Sequence, residues 1–289
     1  MTAAAKNIRV GCVYRPEFPP EGLAAAARAA DAAGVDELWL WEDCFLAGGV
    51  SAAAIALSNS DRLTVGVGVL PAPMRNVALL AMEIATLARS FPGRVRIGVG
   101  HGVQDWMGQI GVRVASPMTF LREYLTCLRS LLDGESVTYT GRYLSLSDVR
   151  LQWPPAPGLE VLAAATGPRT LQLSGELASG TVLTGGTTPD ELRTAVTQIN
   201  AAGPHSVVVY LLCVIGADAP ALIQREIQHW KLDETADVAV HGEPAEIASA
   251  AGRWIDAGAD TVVFQPTAEA DIRPFLDTVG TEIRPLLQR

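Results

Sequence analysis

Short apolar runs of strand length alternate along the chain with longer segments whose apolar positions recur every three or four residues. Val77, Leu80 and Ile84, for example, fall on one face of a helix at this spacing. Strands joined by helical crossovers pair in parallel, so the alternation predicts a parallel sheet. Eight runs are predicted to be strands: residues 8–14, 37–41, 63–69, 95–99, 160–165, 180–183, 206–215 and 261–264.

Eight strand and helix units predict an α/β fold, specifically a closed (β/α)8 TIM barrel. Barrels of this size commonly form one domain, so we expect a single domain over residues 1–289. Two helix starts are marked in the sequence. Ser116 is predicted to cap a helix with Pro117 in its first turn, and Thr188 with Glu191 forms a capping-box pattern.

Two insertions interrupt the regular alternation. About seventeen residues separate the strand ending at Val99 from the helix at Pro117, which is longer than the usual connection from strand to helix. Because this segment contains Trp106 and Met107, we interpret it as a lid over the site. Residues 138–146 place a glycine turn between two β-prone runs and predict a small hairpin, which either covers the barrel rim or contributes to binding.

Composition and charge exclude several kinds of partner. The formal net charge is -9 and no run of basic residues occurs, which argues against nucleic acid or an anionic membrane. The four cysteines are far apart and form no Cys-x-x-Cys pair, so we expect neither a disulfide framework nor a metal site. Residues 1–7 have no apolar signal core, and no apolar run approaches the span of a bilayer. We therefore expect a soluble, cytoplasmic protein.

Candidate chemistry is expected at the carboxyl ends of the strands, where barrels place their sites. The fourth strand ends in Gly98-Val99-Gly100-His101-Gly102, whose glycines leave the backbone open to a flat or anionic ligand. The second strand is followed by Glu42, Asp43 and Cys44. Of the two acids we expect Asp43 to face the cavity, while Glu42 caps a helix or pairs with an arginine. Cys44 is a candidate nucleophile or a small rim residue.

Three more strand ends are rich in small residues. Gly66 and Gly68 allow a bulge in the third strand, a feature often found at ligand sites. After the fifth strand, Ala165, Thr166 and Gly167 lead into a helix whose positive end suits a phosphate. Gly185, after the sixth strand, could border the same pocket.

Three stretches together resemble the luciferase-like flavin and deazaflavin barrel enzymes. They are residues 63–102 with their glycine-spaced end, residues 164–170 followed by 176–180, and residues 242–247 followed by 256–260. The resemblance covers nearly the whole chain. The segment from Ser116-Pro117 to Gly134-Glu135 is most similar to the actinobacterial branch that uses the deazaflavin coenzyme F420.

The resemblance implies a cofactor ring in the barrel mouth, on a bulge with a non-proline cis peptide between Gly68 and Val69, and a phosphate near Thr166 and Gly167. It also implies a small-molecule substrate and a homodimer. Asp43, Cys44, His101 and Trp106 would handle the proton that accompanies hydride transfer. The predicted cofactor-binding residues are Gly68, Val69, Gly100, His101, Ala165, Thr166, Gly167 and Gly185.

The chain departs from the family pattern at two positions. Cys44 stands where many F420 enzymes have histidine, and Val103 stands where the sugar-phosphate dehydrogenases have a glutamate. His101 is the nearest titratable substitute for proton transfer. The alternative is that His101 does no more than form a hydrogen bond with the cofactor or the backbone. We therefore expect an F420-dependent oxidoreductase. The alternatives are an FMN-dependent monooxygenase, a non-catalytic cofactor-binding relative, and a phosphate-binding barrel enzyme without a redox cofactor.

Overall fold

The computed structural model describes residues 8–216 and 219–288, so the expectation about residues 1–7 lies outside the described residues. Eleven strands occur in this part of the chain. They are β1 (Arg9–Val13), β2 (Glu37–Leu40), β3 (Thr64–Pro71), β4 (Val95–Gly100), β5 (Val137–Thr140), β6 (Ser145–Val149), β7 (Glu160–Ala164), β8 (Gly180–Leu183), β9 (Ser206–Ile215), β10 (Ala239–Gly242) and β11 (Thr261–Gln265).

Eight of these strands close a parallel barrel in the order β1, β2, β3, β4, β7, β8, β9, β11. The ring is complete because β9 pairs in parallel with both β8 and β11, and β11 pairs with β1. All eight predicted strands are therefore confirmed, and together they form a (β/α)8 barrel.

The helices surround the barrel and connect its strands. They are α1 (Leu23–Ala33), α2 (Gly49–Ser58), α3 (Val77–Ser90), α4 (Gln104–Gln109), α5 (Pro117–Leu132), α6 (Pro168–Leu177), α7 (Pro189–Ile199), α8 (Ala219–Trp230), α9 (Pro244–Ala257), α10 (Ile272–Thr278) and α11 (Arg284–Leu287). The capping box of α7 is confirmed, with Glu191 N–H donating to Thr188 Oγ1 at 3.2 Å. Ser116 stands at the N-cap of α5, but its hydroxyl contacts Thr119 Oγ1 rather than a backbone N–H.

Large aromatic side chains fill the barrel interior beside small residues. Trp39 lies fully buried inside the barrel, and a Cβ built on Gly11 would come within 2.9 Å of its indole. Tyr210 packs edge-on against Trp39 at 5.8 Å between ring centroids. The glycines of the strands therefore make room for a core that is packed rather than open.

A charged network closes the amino end of the barrel. The buried Arg96 side chain donates to both carboxylate oxygens of Glu37 at 3.0 Å and to Glu160 Oε2 at 2.7 Å. It also donates to the hydroxyls of Thr261 at 3.1 Å and Ser206 at 2.9 Å. The network satisfies the guanidinium group and joins strands from different parts of the sequence.

Both predicted insertions occur. The segment before α5 contains the short helix α4, which the sequence did not predict, with Met107 buried and Trp106 half-buried. Strands β5 and β6 form the predicted hairpin, which packs beside α5. The buried Glu123 of α5 accepts backbone N–H groups from Arg142, Tyr143 and Leu144 at 2.7–3.0 Å. The hairpin lies outside the large cavity at the barrel mouth, which favours the structural interpretation.

A third insertion was not predicted from the sequence. Helix α8 and strand β10 stand between β9 and α9, and β10 pairs with the carboxyl half of β9. Strand β10 has only four residues and includes His241 and Gly242, so it forms no apolar run that periodicity could detect.

Three further features concern the described residues alone. The four cysteines are free, and Cys12, Cys127 and Cys213 are buried. No helix there has the length and apolar character needed to cross a membrane. Within the same residues, no cluster of three or more histidine, cysteine or acidic side chains could hold a metal ion.

Candidate active site

A cavity of about 510 Å³ opens at the carboxyl ends of the barrel strands. Its walls come from the ends of β2, β3, β4, β7, β8, β9 and β11, from α4, and from the end of α8. The predicted site residues on this wall are Asp43, Gly68, Val69, Gly100, His101, Thr166 and Gly185. The lining does not include Cys44, Ala165 or Gly167.

The two acids after β2 have different partners. Glu42 is buried and receives a bidentate pair of hydrogen bonds from Arg75, both at 2.8 Å. Asp43 is half-buried and accepts a hydrogen bond from Trp41 Nε1 at 2.7 Å. Burial raises the pKa of Asp43, and the nearby charge of Glu17 acts in the same direction. The structure thus brings a carboxyl group with increased proton affinity to the cavity wall.

Cys44 points to a different environment. Its thiol donates to Met74 Sδ at 3.6 Å. Burial raises the pKa of Cys44, as do the charges of Glu42 and Asp43. Because only the thiolate is a strong nucleophile, this environment makes Cys44 less reactive than an ordinary cysteine.

The cavity floor is the bulge in β3. The pairing of β3 with β4 shifts between Val67 and Leu70, and the Gly68–Val69 peptide is cis, as the resemblance implied. A second non-proline cis peptide, Cys44–Phe45, was not foreseen. The Val69 side chain lies against β4, where a Cβ on Gly98 would come within 2.6 Å and one on Gly100 within 3.0 Å of it. Glycine is therefore required in β4 for the bulge to lie where it does.

Two polar side chains face the cavity without a partner in the described part of the chain. His101 is half-buried, and burial lowers the pKa of its imidazole, so the neutral form dominates at pH 7. The Tyr210 hydroxyl is fully buried and makes no hydrogen bond. It lies 2.5 Å from the position that a Cβ on Gly68 would take. Buried polar groups normally have partners, so both are candidates to contact a ligand.

The opposite wall contains the loops after β7 and β8. Thr166, just before α6, and Gly185, after β8, line the cavity there. Gly167 is the N-cap of α6 and provides no side-chain cap, and a Cβ on it would meet nothing within 4 Å. Arg169 is exposed and forms no ion pair among the described residues. A helix amino end beside an unpaired arginine is an environment that suits an anionic group.

The sequence was then compared with known protein families. The sequence model of the family described as luciferase-like monooxygenase matches residues 6–281. The chain belongs to this family. It is accordingly an enzyme of the luciferase-like type, and the predicted resemblance is confirmed.

Curated relatives in the family are named as a reductase and as F420-dependent dehydrogenases. The 5,10-methylenetetrahydromethanopterin reductase of Methanolobus tindarius is 28% identical over 191 residues, covering 66% of this chain and 58% of the relative. The chain thus matches little more than half of that protein's length. The F420-dependent glucose-6-phosphate dehydrogenase of Kineococcus radiotolerans is 24% identical over 322 residues, covering 94% of each chain.

Solved structures share the fold. The F420-dependent tetrahydromethanopterin reductase of Methanopyrus kandleri superposes with a TM-score of 0.82 at 19% identity, covering 96% of this chain and 99% of the other. A monooxygenase from Streptomyces bottropensis gives the same TM-score at 16% identity, with the same coverage. The luciferase-like barrel is therefore common to deazaflavin enzymes and monooxygenases.

Sequence reasoning missed the wall that α8 adds to this luciferase-like barrel. Trp230, the last residue of α8, lines the cavity and donates its indole N–H to Glu226 at 2.9 Å. Glu226 in turn pairs with Arg15, a fully buried arginine that follows β1, at 3.0 Å. Tyr210 was missed as well. Neither aromatic residue carries a motif, and only the apolar spacing of α8 could have indicated that one of its faces is buried.

Proposed function

We propose that this protein is an F420-dependent oxidoreductase that transfers a hydride between the deazaflavin and a small organic substrate. The observation that carries the proposal is the cavity floor, where the bulge at Gly68 and Val69 packs against Gly98 and Gly100, and a side chain at either glycine would push Val69 aside. Such a floor offers flat backbone to a planar ring. The name of the F420-dependent glucose-6-phosphate dehydrogenase of Kineococcus radiotolerans supports F420 as the source of that ring.

The residues present fit this cofactor. The ring would lie on Gly68 and Val69, beside Gly100 and His101. The Tyr210 hydroxyl, which lacks a partner among the described residues, lies directly beneath the floor. The phosphate would lie at the amino end of α6, against Thr166, with Ala165, Gly167 and Gly185 leaving space for it. Gly185 is constrained on this side, because a Cβ there would come within 3.3 Å of Gln265 Oε1.

When bound, the deazaflavin would serve as the two-electron carrier that accepts or donates a hydride. The chain's own residues would then handle the proton. Asp43 combines a position on the cavity wall with a raised pKa, so it can take the proton of a substrate hydroxyl or return one to a carbonyl. Neutral His101 is the second candidate for this role. Trp106, carried by α4, would limit the access of water to the mouth.

An FMN-dependent monooxygenase is the second candidate. FMN also combines a planar ring with a phosphate, and the structural likeness to the Streptomyces monooxygenase is as high as that to the reductase. The cradle described above would accept either ring, so the cofactor has to be identified by binding.

The deciding experiment is a titration of the purified protein with F420 and, separately, with FMN, followed by fluorescence quenching. We expect saturable binding of F420 and weak or no binding of FMN. A preference for FMN would assign the protein to the monooxygenase branch. Binding of neither would contradict both proposals and favour a barrel enzyme without a redox cofactor.

We also propose that two copies associate. Apolar side chains are exposed on the neighbouring helices α2 and α3, namely Ile55, Leu79 and Met82. Sedimentation equilibrium should give twice the chain mass, and the Met82→Glu variant should shift the distribution toward monomer. A monomeric wild-type protein would contradict this proposal.

A further inference from the structure

We propose that the substrate is an uncharged compound with an apolar body and one alcohol or carbonyl group, and that phosphorylated and carboxylated compounds are excluded. The inference rests on the proposed function. Its central observation is that, among the described residues, no lysine or arginine lines the cavity, whereas Trp41, Trp106 and Trp230 do. An anionic substrate would have no cation to meet on this wall.

The two arginines on the side of the mouth that contains Glu42 and Asp43 are already paired. Arg15 is fully buried, and its guanidinium contacts Glu226 at 3.0 Å, Glu17 at 2.7 Å and the Pro266 carbonyl at 3.1 Å. Arg75 donates both terminal nitrogens to Glu42 at 2.8 Å. Neither guanidinium is free to bind a phosphate or carboxylate from a substrate.

The charge on this side of the mouth is negative. Two guanidinium groups lie among five carboxyl groups, those of Glu17, Glu42, Asp43, Glu83 and Glu226. Glu42 and Asp43 both line the cavity, and Asp43 is the one of the two that forms no ion pair among the described residues. An anion in the same space would be repelled, because charges near a protein surface interact strongly over a few ångströms.

The anion-binding environment lies across the barrel. The amino end of α6 and Arg169 follow β7, and Gly185 follows β8, which is four strands away from β2 around the ring. The phosphate of a cofactor would occupy that end. The substrate is left with the part of the cavity bounded by the end of β2 and by Trp230 of α8.

The surfaces that remain on this side are apolar. The indole nitrogens of Trp41 and Trp230 already donate to Asp43 and Glu226, at 2.7 and 2.9 Å. The Arg15 Cζ atom lies 5.7 Å from the centroid of the Trp230 ring. The ring is therefore held both by this cation–π contact and by its hydrogen bond to Glu226. Leu212 and Leu232 continue the wall. Aromatic faces with satisfied N–H groups favour an apolar body and contribute no further hydrogen bond.

One polar group of the substrate can be accommodated at Asp43. In oxidation, the C–H bond of the alcohol carbon breaks and its hydrogen leaves with both electrons to the deazaflavin. The O–H bond breaks as its proton passes to the Asp43 carboxylate, and the C=O bond forms. Reduction is the reverse, with the carboxylic acid of Asp43 returning the proton.

The test uses protein loaded with F420, so that cofactor binding is established before any substrate is added. Isothermal titration calorimetry would compare neutral ring ketones with matched carboxylates, for example 4-methylcyclohexanone with 4-oxocyclohexanecarboxylate, and would include glucose 6-phosphate. We expect the neutral ketone of each pair to bind at least about tenfold more tightly. Equal or tighter binding of the anions, or no saturable binding of any neutral ketone, would overturn the inference. Failure of F420 to bind would instead contradict the proposed function.

Two variants and a control sharpen the test. Trp230→Ala should weaken ketone binding by about tenfold while leaving F420 affinity nearly unchanged. Leu232→Arg, which places a cation on the wall, should improve binding of the carboxylate relative to the ketone. Lys231→Met is the matched control, because Lys231 is exposed and does not line the cavity. Glucose 6-phosphate that binds the wild-type protein but not this control would show that Lys231 supplies a cation and would overturn the inference.

Discussion

The two ends of the barrel differ in whether their charged and polar side chains have partners. At the amino end, Arg96 is buried and all of its donor nitrogens are engaged, by Glu37, Glu160 and two hydroxyls. At the carboxyl end, Asp43 faces a cavity without an ion pair and the buried Tyr210 hydroxyl lacks a partner within the described chain. One end has the features of a structural plug and the other those of a binding site.

This difference indicates that the amino end of the barrel contributes to stability and the carboxyl end to ligand binding. Fully paired buried charges resist change, because removal of one partner leaves the other uncompensated. Unpaired polar groups reduce stability but remain available to a ligand. Substitutions at the two ends should therefore have opposite effects on unfolding and on binding.

The largest effect on stability is expected at the closed end. Arg96→Met leaves Glu37, which is 1% exposed, without its buried partner, so the free energy of unfolding should fall by about 3–5 kcal/mol. Urea denaturation would measure this loss. Arg9→Met is the matched control: Arg9 also contacts Glu37, at 3.2 Å, but its side chain is 48% exposed, so we expect a loss below about 1 kcal/mol. Equal losses in the two variants would contradict the idea of a plug.

The sequence predicted the barrel better than it predicted this plug. All eight barrel strands follow from local periodicity, which a single pass along the chain can detect. The pairing of Arg96 with Glu37 joins residues 59 positions apart, and nothing near either residue indicates the other. Strand β10 and helix α8 were missed for a related reason, since a four-residue strand gains its stability from its neighbour β9 rather than from its own pattern.

At the open end, the largest effect is expected from Gly68→Val. Its Cβ would lie 2.5 Å from the Tyr210 hydroxyl and 3.1 Å from Trp39, so the floor of the cavity must move. We expect F420 binding to be lost while the helical circular dichroism signal is retained. Gly252→Ala, where a Cβ meets nothing within 4 Å, is the control and should bind normally.

A double variant tests the cause. Gly68→Ala alone should weaken binding, and Gly68→Ala with Tyr210→Phe should recover part of it, because the phenylalanine lacks the colliding hydroxyl. Unchanged F420 affinity in Gly68→Val, or no recovery in the double variant, would contradict the assigned role of the floor.

A smaller effect, with opposite signs for rate and stability, is expected from Asp43→Asn. Loss of an acid or base should lower kcat by about 10²–10⁴-fold. The pKa of the Asp43 carboxyl is raised in the folded state. As pH rises through that pKa, ionisation of this carboxyl lowers the free energy of unfolding, and the loss of stability persists at pH 7. The asparagine variant should therefore have a higher Tm at pH 7, and this gain should shrink as pH falls through the raised pKa of Asp43 toward the ordinary aspartate pKa.

The neighbouring acid provides the control for Asp43. Glu42→Gln breaks the bidentate pair with Arg75 and should lower the Tm. A lower Tm in both variants would mean that Asp43 is part of the structural framework rather than a group held ready for a ligand.

The sequence predicted half of this site. Asp43 and the glycines were found because they follow strands. The alternation of Glu42 and Asp43 predicted that only one of them faces the cavity, whereas both line it. Tyr210 lies in β9, whose residues are buried along nearly their whole length, so its direction could not be inferred from alternation. Trp230 lies on an inserted helix whose position depends on the buried pair between Arg15 and Glu226.

The smallest effect is expected from His101→Gln. Burial lowers the pKa of His101 below 6.5, so the folded state binds its proton less readily than the unfolded state. Wild-type stability should therefore fall as pH drops through the ordinary histidine range, and the glutamine variant should lose part of that dependence. If His101 transfers a proton, kcat should fall by more than the affinity for F420. A loss confined to F420 affinity would instead make His101 a binding residue, and Asp43 would then be the remaining candidate to transfer the proton.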